Sequence, residues 1–359
     1  PSGYLALCTS NLSAPSIADP TAHFNTVLYT GNSGVAQSIT GVGFEPDAVW
    51  LKRRNYAGGN HCLFDQVRGP NISQHVNSAL ADITRTDALD SFDSDGFTLG
   101  ADTGTNVNYG AYTYVSWNWK GDGVAGGTLN EDGTIDSQVN VNTTAGFSIV
   151  TYTGTGSNDG SDNVGHGLAQ TPEFYVIKNR SGTDGWNLYT APTGTGNYMT
   201  LNNTIASTAA SNGFQYNTTP TASVFTLGTW VAVNELDDEY VAYCFHSVEG
   251  YSKIGSYVGN GDADGPFVYT GFKPAYTLIK MVTDSAQYWE IGDNKINPYN
   301  PTDYMLLANT NGGEVSGNTC DYLSNGFKLR LTGGSFNLSG KTYLFYSVAE
   351  SPFKTANAR

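Results

Sequence analysis

One pattern occurs three times along this chain of 359 residues. An aromatic-Gly turn leads to a Gly/Pro turn and an apolar strand carrying a lysine. A Gly-Phe strand and an aromatic-rich closing strand follow. The first copy reads VLYTG, GFEPDAVWLKRR, DSDGFTLG and TYVSWNW; the second IVTYTG, TPEFYVIKNR, ASNGFQY and EYVAYCF; the third GSYVGNG, GFKPAYTLIKM, LSNGFKL and TYLFYSV. The anchors are Tyr29, Tyr152 and Tyr257 in the Tyr-x-Gly turns, and Lys52, Lys178 and Lys280 after apolar triplets. They continue with Gly96-Phe97, Gly213-Phe214 and Gly326-Phe327, then Tyr114, Tyr240 and Tyr343 at the closing strands. A fixed order of anchors with variable spacing predicts one backbone used three times, with insertions confined to loops.

The predicted fold class is all-β, as three tandem antiparallel β-sandwich modules. In the closing strand, Val115, Trp117 and Trp119 alternate with Tyr114, Ser116 and Asn118, so one face is large and apolar. A lone sheet leaves such a face wet, which predicts two packed sheets per module with that face inside. Residues 1–20 read as a lead-in strand and linker, and 21–121 as module one. Residues 122–145 form a Gly/Asn/Asp-rich linker with a small hairpin around Asp132-Gly133. Module two is 146–250, module three is 251–352, and 353–359 are a tail. The stretch from Ile72 to Phe92 has some helical character, but its counterparts do not, so all three are read as a strand plus an irregular excursion. The segment YLALC reads as the last strand of an upstream module, which makes this chain the C-terminal part of something longer.

Gly 43 and Tyr 23, with abundant Asn, Ser and Thr, suit a loop-rich β protein. A net charge of −15 argues against nucleic acid, whose phosphates demand Lys and Arg. No apolar run is long enough for a membrane span, so no membrane insertion is expected. Cys8, Cys62, Cys244 and Cys320 have no CxxC spacing and read as buried thiols, with Cys320 placed in a loop.

Catalytic candidates are weak. Glu235, Asp237, Asp238 and Glu239 cluster, and paired carboxylates cleave glycosidic bonds, but the other copies have nothing comparable there. The five histidines are scattered and form no metal or triad motif. No cofactor is expected. The candidate cation loop is GNGDADG with Asp262 and Asp264, although Ca²⁺ needs more oxygens than this loop offers. Lys52, Lys178 and Lys280 read as outward lysines at a sheet edge or as partners of buried carboxylates. The recognition candidates are the loop aromatics Tyr56, Tyr109, Tyr198 and Tyr299, because exposed tyrosines stack on sugars and anchor protein contacts.

The run FNTVLYTGNSG…ITGVGFEPDAVWLKRR…HCLFDQVRG…FDSDGFTLG…YVSWNWKGDG resembles an uncharacterised β-rich module of structural proteins in marine tailed phages, including cyanophages and pelagiphages. The lead-in PSGYLALCTSNLSAPSIADPTAHF resembles the junction that follows a SPRY-like, concanavalin-type domain there. The resemblance covers residues 1–121, with the remainder as two diverged copies. It implies a non-enzymatic virion surface protein, assembled in the host cytoplasm. A tail-fibre or receptor-binding appendage is the first expectation; a capsid decoration protein and a polysaccharide-binding or depolymerising adhesin are the alternatives. Implied partners are other virion proteins and a host surface glycan or protein, in a homo-oligomer with a trimer favoured.

Overall fold

The computed structural model describes residues 11–356, apart from 33, 103–105 and 285. The YLALC segment with Cys8, and the last three residues, lie outside the described residues. The first segment contains β1 (Phe24–Thr30), β2 (Gln37–Thr40), β3 (Ala48–Arg53), β4 (Cys62–Asp65), β5 (Ile72–His75), β6 (Ile83–Thr84), β7 (Leu89–Asp93), β8 (Gly96–Leu99) and β9 (Thr113–Trp119). The second contains β10 (Thr128–Asn130), β11 (Ser137–Asn142), β12 (Phe147–Thr153), β13 (Asn163–Gly165), β14 (Phe174–Asn179), β15 (Asn187–Thr190), β16 (Asn197–Thr200), β17 (Thr208–Ala209), β18 (Val224–Thr226), the short helix α1 (Val231–Asn234) and β19 (Glu239–Phe245). The third contains β20 (Ser252–Val258), β21 (Phe267–Tyr269), β22 (Phe272–Met281), β23 (Glu290–Asp293), β24 (Thr302–Leu307), β25 (Val315–Leu323), β26 (Gly326–Leu329), α2 (Gly334–Asn337) and β27 (Thr342–Pro352).

The protein is all-β, with antiparallel ladders throughout the sheets. The large sheets run β1-β9-β3-β4-β5-β6, then β10-β11-β12-β19-β14-β15-β16-β17, then β20-β27-β22-β23-β24-β25-β26-β21. Each places its closing strand between the Tyr-x-Gly strand and the lysine strand. Smaller sheets cover the outer faces: β2-β8-β7 on the first and β13-β18 on the second. In the third, β25, β26 and β21 continue the large sheet, and their residues pack back onto β22 and β27 around Met281, Tyr322, Phe327 and Phe345. The linker hairpin is β10-β11, and β11 pairs with β12, so it widens the second sheet. The stretch from Ile72 to Phe92 carries β5, β6 and β7 and no helix.

The two faces of the closing strand differ from the expectation. Both are buried. Val115, Trp117 and Trp119 do not fill a sandwich; they enter a central cluster that also takes Phe147, Tyr243, Phe245, Tyr276, Leu344 and Tyr346 from the other two sheets. The sandwich interiors use the opposite faces, as with Val49 and Leu51 against Phe97 and Leu99. Alternation was visible in the sequence, but a strand buried on both faces gives no polar face to show which side meets which layer.

The three sheets close a ring around the central cluster, and residues at matching register make the same contacts. His61, Trp186 and Trp289 each stand one residue before the strand that follows the lysine strand. Trp186 Nε1–H donates to the carbonyl of His75 in the first segment (3.1 Å), and Trp289 Nε1–H to that of Thr200 in the second (3.0 Å). His61 Nδ1 accepts from Trp50, so Nε2 carries the proton and donates to Leu307 in the third (3.1 Å). The acceptors are register-equivalent, since they pair with Cys62, Asn187 and Glu290. A second ring is made by backbone: Asp82 N–H to Arg180 (2.8 Å), Ser207 N–H to Val282 (3.0 Å) and Glu314 N–H to Arg54 (2.7 Å). Asn77, Asn202 and Asn309 brace the ring-N–H donors by accepting from the backbone N–H of His61, Trp186 and Trp289.

A third set is incomplete. Tyr243 donates its hydroxyl to Asp65 (2.6 Å) and Trp117 its Nε1–H to Asp293 (3.0 Å), each from the neighbouring segment. The corresponding acceptor in the second segment is Thr190, whose buried hydroxyl makes no hydrogen bond among the described residues. Asp65 also holds Arg68 (2.7 Å), a fully buried guanidinium that reaches Asp82 (3.0 Å). At the centre remains a cavity of about 50 Å³, lined by Ala48, Trp50, Phe174, Val176, Tyr276 and Leu278 among others.

Candidate functional site

The loops at one end of each sheet are held by a repeated device. Tyr29 stacks on Tyr114, Tyr152 on Tyr240 and Tyr257 on Tyr343, each with ring centroids 5.0 Å apart. These are directly opposed cross-strand pairs, and such stacking adds about 0.5–1.5 kcal/mol beyond burial. The first tyrosine of each pair donates its hydroxyl to a tip-loop carbonyl: Val107 (2.8 Å), Val233 (2.8 Å) and Phe336 (3.0 Å). The next residue in each loop is Asn108, Asn234 or Asn337, whose side chain accepts the N–H just past the turn glycine. Gly31, Gly154 and Gly259 are needed because a Cβ there would press into the backbone of that same loop.

In the first segment this scaffold carries an aromatic ladder. Tyr56, from the β3–β4 loop, stacks on Tyr112 with centroids 5.4 Å apart and planes 28° apart. Tyr112 in turn lies 6.0 Å and 25° from Tyr109. Arg53 packs against the rings, its guanidinium carbon 4.7 Å from the Tyr112 centroid and 5.5 Å from that of Tyr56. It also donates to the carbonyls of Tyr56 (3.2 Å) and Ala57. Asn55 ties the loops together by accepting the Thr113 N–H (3.1 Å), and Gly58 N–H donates to Asn311 of the third segment (2.9 Å). Tyr56 is 60% exposed and Tyr109 45%. The ladder is therefore both open to solvent and fixed from beneath.

Of the four loop aromatics, the fold brings Tyr56 and Tyr109 together and keeps the others apart. Tyr198 lies in β16 and meets Trp230 edge-on at 4.6 Å, packed against the second sandwich core. Tyr299 is 80% exposed on a different loop. Tyr112 and Arg53 were missed. Tyr112 lies in the loop just before the closing strand, and only the fold shows it standing between Tyr56 and Tyr109.

The remaining candidates are engaged in structure. Asp264 is fully exposed and is held below the usual carboxylate range by its hydrogen bond and charge contact with Lys328 (2.9 Å), with Arg330 nearby at 3.6 Å. Asp262 caps the Asp264 N–H (2.9 Å). Among the described residues, no group of three or more His, Cys, Asp or Glu side chains could hold a metal ion. In the acidic loop, Asp238 accepts from Asn179 (2.8 Å) and Glu239 pairs with Arg180 (3.2 Å). Burial lowers the pKa of His75 and His166 to about 4 and holds that of His61 well below the ordinary imidazole value, so these rings are neutral at pH 7. Cys62, Cys244 and Cys320 are buried free thiols, raised by desolvation. Cys320 lies in β25 rather than a loop.

The lysine series is corrected by the structure. Lys52, Lys178 and Lys280 sit on interior strands, not sheet edges, and all three are fully buried. Their amines bond turn carbonyls rather than carboxylates: Lys52 to Arg53 (3.0 Å) and Gly59 (2.9 Å), Lys178 to Asn179 and Gly182 (3.2 Å), Lys280 to Thr204 (3.3 Å) and Gln287 (2.7 Å). The period of two carries each onto the central face beside Trp50, Val176 and Leu278. Desolvation lowers Lys52 to about 7 and the other two to about 8.

The fold and this surface define an all-β protein with a rigid interior and an exposed aromatic platform. The chain belongs to the family described as Domain of unknown function (DUF7483), whose model matches residues 19–352. No curated protein and no solved structure matches it.

Proposed function

We propose that this chain is a non-enzymatic structural protein of a tailed-phage virion, and that it attaches to the host surface as a tail-fibre or receptor-binding appendage. In this reading the three segments are diverged copies of one β module, joined so that a single chain closes the ring. The observation that carries the adhesive role is the Tyr56–Tyr112–Tyr109 ladder. It is an exposed, braced aromatic surface in a chain whose other tryptophans and tyrosines largely serve the core. The side chains best placed for chemistry are engaged elsewhere: His61, His75 and His166 are buried and neutral, Cys62, Cys244 and Cys320 are buried, and Asp238, Glu239 and Asp264 pair with a nearby amide or cation. The marine-phage resemblance supplies the virion setting.

The test is adsorption of purified protein to candidate host cells. Saturable binding that is lost in a Tyr56→Ala/Tyr109→Ala double variant, with no release of reducing sugar from cell-surface polysaccharide, is the expected result. Polysaccharide cleavage by the purified chain, or adsorption untouched by the double variant, would overturn the reading.

A further inference from the structure

We infer that the Tyr56–Tyr112–Tyr109 ladder is a binding site for a neutral glycan. This rests on the adhesive reading above and names the chemistry of its ligand. Pyranose rings present faces of C–H bonds that pack on phenol rings, and equatorial hydroxyls that meet amides at the rim. The ladder supplies both partners: the partly exposed rings of Tyr56 and Tyr109, held on either side of Tyr112, and the amide of Asn55, next to Tyr56 in the same loop.

Charge and size choose among ligands. The chain carries a net charge of −15, which repels a polyanionic glycan. The cations nearest the ladder are already engaged: Arg53 packs beneath the rings and holds two loop carbonyls, and Arg54 pairs with Glu314 at 2.5 Å. Glu314, the carboxylate paired with Arg54, is not offered to a basic peptide either. A tyrosine buries roughly 150–250 Å² in full, so these partly exposed rings offer on the order of 300 Å². A stable protein interface needs about 800 Å² per partner. That area suits two or three sugar units.

The site is also preorganised. Arg53 fixes the Tyr56 loop from below, Asn55 locks it to Thr113 at the start of β9, and the Tyr109 N–H is held by the Tyr114 hydroxyl at 3.1 Å. Little ordering is left to oppose binding.

The experiment titrates the whole chain, with its tyrosine ring carbons labelled, against neutral gluco-, galacto-, manno- and xylo-hexaoses and a polyproline peptide. The expected result is that at least one hexaose shifts ladder resonances at millimolar or lower concentration. Tyr56→Ala and Tyr109→Ala should each weaken that binding tenfold or more, while Tyr299→Ala leaves it within twofold. No shift with any hexaose, binding that survives the alanine variants, or a response to polyproline alone would overturn the inference. The adhesive reading fails separately. If adsorption to cells depends on Tyr56 and Tyr109 but no hexaose binds and protease treatment of the cells abolishes adsorption, the adhesive reading stands with a protein receptor.

Discussion

Replacing Lys52 with methionine should flatten the rise of stability with pH. Lys52 is fully buried, and desolvation lowers its pKa from 10.5 to about 7. Above pH 7 the folded protein releases this proton, while the unfolded chain keeps it until about pH 10.5. The unfolded state therefore binds more protons across that window, and stability rises with pH. The slope is about 1.4 kcal/mol per pH unit for each such lysine. Lys178 and Lys280, lowered to about 8, join from pH 8 upward. Near pH 9 the thiols begin to oppose them: Cys62 and Cys320 are raised to about 12, so the unfolded chain loses those protons first. Above pH 10 the buried tyrosines add to the fall. The informative range is thus pH 7.5 to 9. A neutral amine keeps two N–H donors, enough for the carbonyls of Arg53 and Gly59, so deprotonation strands no partner. Urea midpoints measured at half-unit pH steps give the slope. Lys52→Met should lower it by about 1 kcal/mol per pH unit, whatever it does to the absolute level. An unchanged slope in the variant, or wild-type stability that is flat or falls over this range, would refute the reasoning.

Other expectations follow from the ring and its core. Ala48→Val should raise the melting temperature by a degree or two, because partly filling the cavity of about 50 Å³ recovers up to about 1 kcal/mol at ~24 cal/mol per Å³; calorimetry checks it. Trp289→Phe should cost about 1–2 kcal/mol beyond its change in packing, since the buried Thr200 carbonyl loses its donor. Asp65→Asn should cost roughly 3–5 kcal/mol in denaturant titration by leaving the fully buried Arg68 without its nearest charge partner; a cost near zero would show that Asp82 alone suffices.

The all-β class was legible because turn glycines, alternating aromatics and anchor order all pointed one way. The Tyr-x-Gly and closing-strand tyrosines, chosen as anchors, turn out to be stacked cross-strand pairs. What failed was the assignment of faces. Lys52, Lys178 and Lys280 were read as edge or paired lysines because a charged residue ending an apolar run ordinarily marks the surface. Only the tertiary fold shows turn carbonyls converging on each amine. The equivalence of His61 with Trp186 and Trp289 was hidden by residue identity, since imidazole and indole share little beyond a ring N–H. Asn77, Asn202 and Asn309 were hidden by their surroundings, because Asn is common in this chain's loops. The site was half visible: exposure of Tyr56 and Tyr109 could be guessed from loop position, but their meeting through Tyr112 depends on two loops far apart in sequence.

The most direct test of the account is cryo-electron microscopy of the intact particle that carries this chain. The account predicts a projecting tail appendage in which each chain closes its own three-sheet ring, with the Tyr56–Tyr112–Tyr109 ladder facing outward. Density spread over the capsid lattice, a ladder buried against the shell, or absence of the chain from any virion would contradict it.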